Sequence, residues 1–121
     1  MKTNKLKGAA LDWAVAKCEG EVLGEDLFGL RPIIAAPAFT QQFKPSTDWS
    51  QGGPIIEREK LTTDFFPDGC SKYGCEWTVQ AWDEHGNCYA AEMGETILIA
   101  AMRCYVASKL GDEVEIPEEL K

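Results

Sequence analysis

Apolar residues recur at helical spacing near both ends of the chain and alternate between them. Leu11, Val15 and Cys18 share one face of a helix predicted from about Lys7 to Glu19, with a stop near Gly20. Alanine is dense there, and alanine has the highest helix propensity. Trp13 falls on the other side and forms a second apolar face with Ala9 and Ala16. A helix apolar on two faces is either buried between layers or lends one face to a ligand or partner. A second helix is predicted to start at Glu95 or Thr96 and stop at Gly111. Ile97, Leu98, Ile99, Ala101, Met102, Tyr105, Val106 and Leu110 cover more than half its circumference, the pattern of a buried helix lying across a sheet.

The strands lie between these helices. Leu61 to Phe66 has strand-like composition and runs into a Pro67-Asp68-Gly69 turn. Glu76 to Trp82 alternates, with Trp77, Val79 and Ala81 on one side. Trp77 is therefore expected in the core and Trp82 half in solvent. Asp83 to Asn87 reads as a hairpin turn, and Cys88 to Met93 returns as the partner strand. The predicted fold is α+β: a small antiparallel sheet of three or four strands packed against a long C-terminal helix and an N-terminal helix. Residues 21–45 are rich in Gly and Pro; Arg31 to Ala35 is a candidate strand and the remainder reads as loop. Ser46 is a candidate cap for a helical turn through Trp49, and Gly53 for a short helix running from Pro54 to about Lys60.

Length and charge narrow the function classes. The chain has 121 residues, the size of one domain. Residues 112–121 form an acidic C-terminal tail, with Val114 and Ile116 as its tether. A net charge of -8 argues against general nucleic-acid binding, which needs cations to displace condensed counterions. It also argues against docking on an anionic membrane. No apolar stretch approaches the roughly 20 residues that cross a bilayer. Asp12 and Lys17 interrupt the N-terminal apolar stretch and so argue against a signal peptide. The five cysteines are expected as free thiols of a reducing compartment.

Three blocks carry a resemblance: Ala10 to Lys17 (ALDWAVAK), Ser46 to Glu59 (STDWSQGGPIIERE), and Leu98 to Val114 (LIAAMRCYVASKLGDEV). Together they resemble the NinX-like family of small proteins from tailed phages and prophages of enteric bacteria. The segments 21–45 and 67–95 do not carry it. The resemblance implies a phage accessory protein acting in the host cytoplasm. It supplies a context and no mechanism.

Four constellations are candidates for chemistry. Gly52-Gly53-Pro54 at a helix start would let a backbone approach an anion such as a phosphate, with Ser46, Thr47 and Gln51 adding hydrogen bonds. The Lys-Ser/Thr of a P-loop is missing, and a tight turn is the commoner use of such glycines. Arg103 is the lone charge in the apolar body of the last helix. Its partner is either internal (Asp12, Asp48 or Glu57) or a ligand phosphate held by the guanidinium fork. Trp13 and Trp49, beside Asp12 and Asp48, either pack in the core or stack on a base. Cys70, Cys75, His85 and Cys88 either hold zinc or are free thiols near a turn.

Catalysis has little support. His85 is the single histidine and falls in a turn, and Glu57 and Glu59 read as a solvated helix face. The leading expectation is a non-enzymatic protein binding a small anionic, nucleotide-like ligand through Trp13, Ser46, Thr47, Asp48, Trp49, Gln51, Gly52, Gly53 and Arg103. Sequestering a host-defence signal would be one use of such a pocket. The alternatives are an acidic adaptor or inhibitor of a host protein, and a small nucleotide-processing enzyme with Glu57 or Asp48 as base. No cofactor is expected, and so much apolar helix surface admits a homodimer.

Overall fold

The last helix organises the molecule. A computed structural model describes residues 1–19, 23–25, 32–35, 40–42, 44–66 and 76–116 of the chain. In it α3 spans Ile97–Leu110. Thr96 caps its start by accepting the Ile99 N–H on its hydroxyl at 3.1 Å. Gly111 ends it at a positive φ of 87°. Leu98, Met102, Tyr105 and Val106 are buried along it. Each such side chain contributes about 1.5–3 kcal/mol by leaving water.

Beneath α3 lies an antiparallel sheet of β4 (Thr62–Phe66), β5 (Glu76–Trp82) and β6 (Cys88–Gly94), with β5 in the middle. Val79 and Ala81 of β5 are buried and Trp77 packs partly against the core, as the alternation predicts. Trp82 points the other way, 45% exposed, and its indole N–H donates to Thr62 Oγ1 at 2.9 Å. The hairpin turn is held by Asp83, whose Oδ1 accepts the His85 and Asn87 N–H groups, both at 2.9 Å. The Pro67-Asp68-Gly69 turn and Gly20 lie outside the described residues.

Helix α1 (Gly8–Glu19) packs on α3, with Ala10, Leu11, Ala14, Val15 and Ala16 buried. The described residues of the 21–45 segment hold more regular structure than its composition suggests. The expected strand is β2 (Pro32–Ala35), and it is flanked by β1 (Leu23–Glu25) and β3 (Thr40–Gln42) in a second antiparallel sheet. Strands of three residues are too short for a readable alternation, which is why they escape the sequence.

The main correction concerns the middle helix. One helix, α2, runs through Trp49–Glu59 without a break. Its cap is Asp48, whose side chain accepts the Ser50 N–H at 2.9 Å, and neither Ser46 nor Gly53. The Gln51 and Gly52 N–H groups already bond the Asp48 carbonyl, at 3.0 and 2.9 Å. Pro54 is thus the sixth residue of the helix and not its first. Gly52 serves packing: a Cβ there would lie 2.4 Å from the Pro45 carbonyl oxygen and 2.7 Å from Leu98 Cδ2. Gly53 has only Trp49 Cε3 nearby, at 3.7 Å.

The two ends of the described chain meet. Met1 donates its amino group to the Val114 carbonyl, and the Val114 N–H returns to the Met1 carbonyl, both at 2.9 Å. Thr3 donates its N–H to the Asp112 carbonyl and its hydroxyl to the Gly111 carbonyl. Val114 and Ile116 are buried, as a tethered tail requires.

Candidate functional site

The predicted ligand residues fall into two places. One is the start of α2. Asp48 is held below the usual carboxylate range, chiefly by the Ser50 hydroxyl and N–H. Gln51 accepts the Lys44 N–H on Oε1 at 2.7 Å. Thr47 is exposed and its hydroxyl lies 3.5 Å from the Lys44 carbonyl. Ser46 is buried: its N–H donates to Asp12 Oδ1 at 2.9 Å, while its Oγ has no hydrogen-bond partner. Trp49 stands out from this end at 55% exposure. Trp13 instead packs against the core, with the Lys17 ammonium 5.2 Å from its ring centroid.

Arg103 is elsewhere. Its Nε donates to the Leu6 carbonyl at 2.7 Å and its Nη1 to the Met93 carbonyl at 2.8 Å. The guanidinium thereby ties the N-terminal segment and the end of β6 to α3. Leu98, against which Gly52 packs, precedes Arg103 by five residues, so the two point about 140° apart around α3. Gly52 and Arg103 therefore serve different sides of that helix. Beside Arg103, Lys2, Asn4, Glu92 and Asp112 line a cleft of ≈ 250 Å³. Burial raises the Glu92 carboxyl; Arg103 opposes the shift and Asp112 adds to it.

A polar cluster escapes the sequence reading. Arg58 reaches Glu19 at 3.0 Å, Glu59 at 2.9 Å and the Tyr105 hydroxyl at 3.1 Å. Lys109 joins Glu59 at 3.4 Å, and the Tyr105 hydroxyl donates to Glu19 at 3.3 Å. The three helices are joined here at their C-terminal ends. Glu59 is thus an ion-pair partner and not part of a merely solvated face, whereas Glu57 is exposed as expected. Tyr105 and Lys109, one turn apart on α3, were the available signal. Burial, with Glu19 next, pushes the Tyr105 hydroxyl up to about 12.

No group of metal-ligating side chains is found among the described residues. Cys70 and Cys75 lie outside them, and His85 is exposed in its turn, 3.6 Å from Glu84. None of the described helices is long and apolar enough to cross a membrane.

The family model for bacteriophage P22 NinX matches residues 2–109. The chain belongs to the P22 NinX family. The resemblance carried by the three blocks is thus confirmed over nearly the whole chain. The fold is also similar to that of a crystal structure of a phage protein from Bacillus cereus ATCC 14579. That likeness has a TM-score of 0.56 at 16% identity and covers 89% of this chain and 92% of the other. At such identity it bears on the fold alone, and it agrees with the α+β architecture. No curated protein matches the chain.

Proposed function

We propose that this NinX-family chain is a phage accessory protein that acts by binding a host protein in the host cytoplasm. The observation that carries the reading is Trp49, 55% exposed on a helix end capped by Asp48. Tryptophan is among the residues most enriched at interface hot spots, and a fixed backbone lowers the entropy cost of docking it. A net charge of -8 favours a basic partner.

The small-anion reading stands second, supported by the same Trp49 face, which is free to stack on a base. Its phosphate-binding half is weaker. The Gly53 N–H lies within a helix, and the Asp48 carboxylate occupies the helix end that would attract an anion. An enzymatic role draws least support, since Asp48 is a cap and Glu57 is solvated.

Native mass spectrometry of the protein purified from host cells tests both. The proposal expects a complex with a basic protein that weakens with salt and is lost in Trp49→Ala, with circular dichroism unchanged. A complex indifferent to Trp49→Ala contradicts it. Release of a nucleotide-like compound on denaturation would instead establish the second reading.

A further inference from the structure

Two thiols converge on one carbonyl oxygen. Cys88 opens β6 and is exposed, while Cys104 lies within α3 and is fully buried. The Cys88 Sγ lies 3.4 Å from the Ala90 oxygen, and the Cys104 Sγ reaches that same oxygen at 3.6 Å. Sharing an acceptor confines the sulfurs to within about 7 Å, the sum of those two distances. A disulfide brings its sulfurs to about 2.05 Å with Cα atoms about 4.4–6.8 Å apart, so closure needs a rotation and a local shift of one partner. The strand is irregular where that shift would occur. Its register slips between Ala81 and Trp82, leaving Tyr89 as an extra residue between Cys88 and Ala90.

We propose that Cys88 and Cys104 form an oxidisable pair that a peroxide converts to a disulfide joining β6 to α3. The Cys88 thiolate attacks a peroxide oxygen, the O–O bond breaks, hydroxide leaves, and the sulfur becomes a sulfenic acid. The Cys104 thiolate then attacks that sulfur. The S–S bond forms, the S–O bond breaks, and the departing hydroxide takes the proton that Cys104 has given up. Two thiols lose two hydrogens and the peroxide is reduced to two waters. The surroundings divide the roles. Cys88 meets an oxidant in solvent, whereas Cys104 is shielded from it. Burial, with Glu92 and Cys88 adding to it, pushes the Cys104 thiol up to about 12, which opposes its loss of a proton. The third described free thiol, Cys18, is half-buried at the end of α1 near Lys109.

The test treats the folded full-length protein with hydrogen peroxide, with and without dimedone, and maps the peptides by mass spectrometry without reduction. The expected sequence is a dimedone adduct at Cys88 first, then a linked Cys88–Cys104 peptide pair two hydrogens lighter and restored by dithiothreitol. Cys88→Ser removes an exposed side chain, keeps the fold and abolishes the linkage. Direct passage of Cys88 to sulfinic acid, an unmodified Cys88, or linkage of either cysteine to Cys18, Cys70 or Cys75 overturns the proposal. So does a Cys104 disulfide that survives Cys88→Ser.

Discussion

At the Arg103 seam a charged side chain is turned inward onto backbone carbonyls; at the start of α2 a large aromatic side chain is turned outward into water. The two regions obey the same rule about polar groups. The Leu6 and Met93 carbonyls accept from Arg103 at places where the chain leaves a 3-10 turn and a strand. At α2 the Ser50, Gln51 and Gly52 N–H groups are all accepted by Asp48, so the Trp49 side chain is not used in capping the helix. Its exposure is therefore free for an interaction, while the seam is committed to holding the fold.

Substitutions can break this contrast in order of effect. Arg103→Ala removes two hydrogen bonds from a charged donor and is expected to cost about 3 kcal/mol in urea unfolding. Arg103→Lys is expected to recover less than half, since an ammonium cannot fork between two carbonyls. A loss near zero would return Arg103 to the list of ligand residues. Arg58→Ala breaks the three-helix cluster, but its side chain is half exposed and its ion pairs are screened, so about 1 kcal/mol is expected. Trp49→Ala is expected to change stability by less than about 0.5 kcal/mol while removing the partner. A larger stability loss would make Trp49 a packing residue.

The smallest effect sharpens the seam through its pH dependence. Burial holds the Glu92 carboxyl above its ordinary range, so the folded state binds that proton more tightly than the unfolded chain does. The stability that this proton confers is complete below the ordinary glutamate value. It is lost as pH rises through the raised value. Glu92→Gln is thus expected to raise the melting temperature near neutral pH, with the gain fading towards about pH 4. A shift equal at both pH values would remove the titration from the account.

The framework of α1, β5, the hairpin and α3 was legible because each element carries its own signal. Val79 and Ala81 alternate, Leu11 and Val15 repeat at helical spacing, and Gly111 marks a stop. The site was not, because its residues act through tertiary contacts. Gly52 reads as part of a tight turn or an anion-binding helix start, yet it lies pressed against the Pro45 carbonyl and Leu98. Arg103 reads as an unmatched charge because backbone acceptors such as Leu6 and Met93 leave no mark on the sequence. Asp48, which caps the helix, was passed over for Ser46, and the glycines and Pro54 downstream drew the helix start five residues too late.

That misplacement makes the adjacent glycines the most direct test. Urea unfolding of Gly52→Ala and Gly53→Ala compares a site pressed against backbone with one in ordinary contact. A new Cβ at Gly52 meets the Pro45 oxygen and is predicted to cost about 1–3 kcal/mol. At Gly53 the helical gain of about 0.5–1 kcal/mol is offset by the restriction that Pro54 places on its predecessor, so a change near zero is predicted. The reverse order, with Gly53→Ala destabilising and Gly52→Ala neutral, would restore Gly53 as the helix start and contradict the placement of α2.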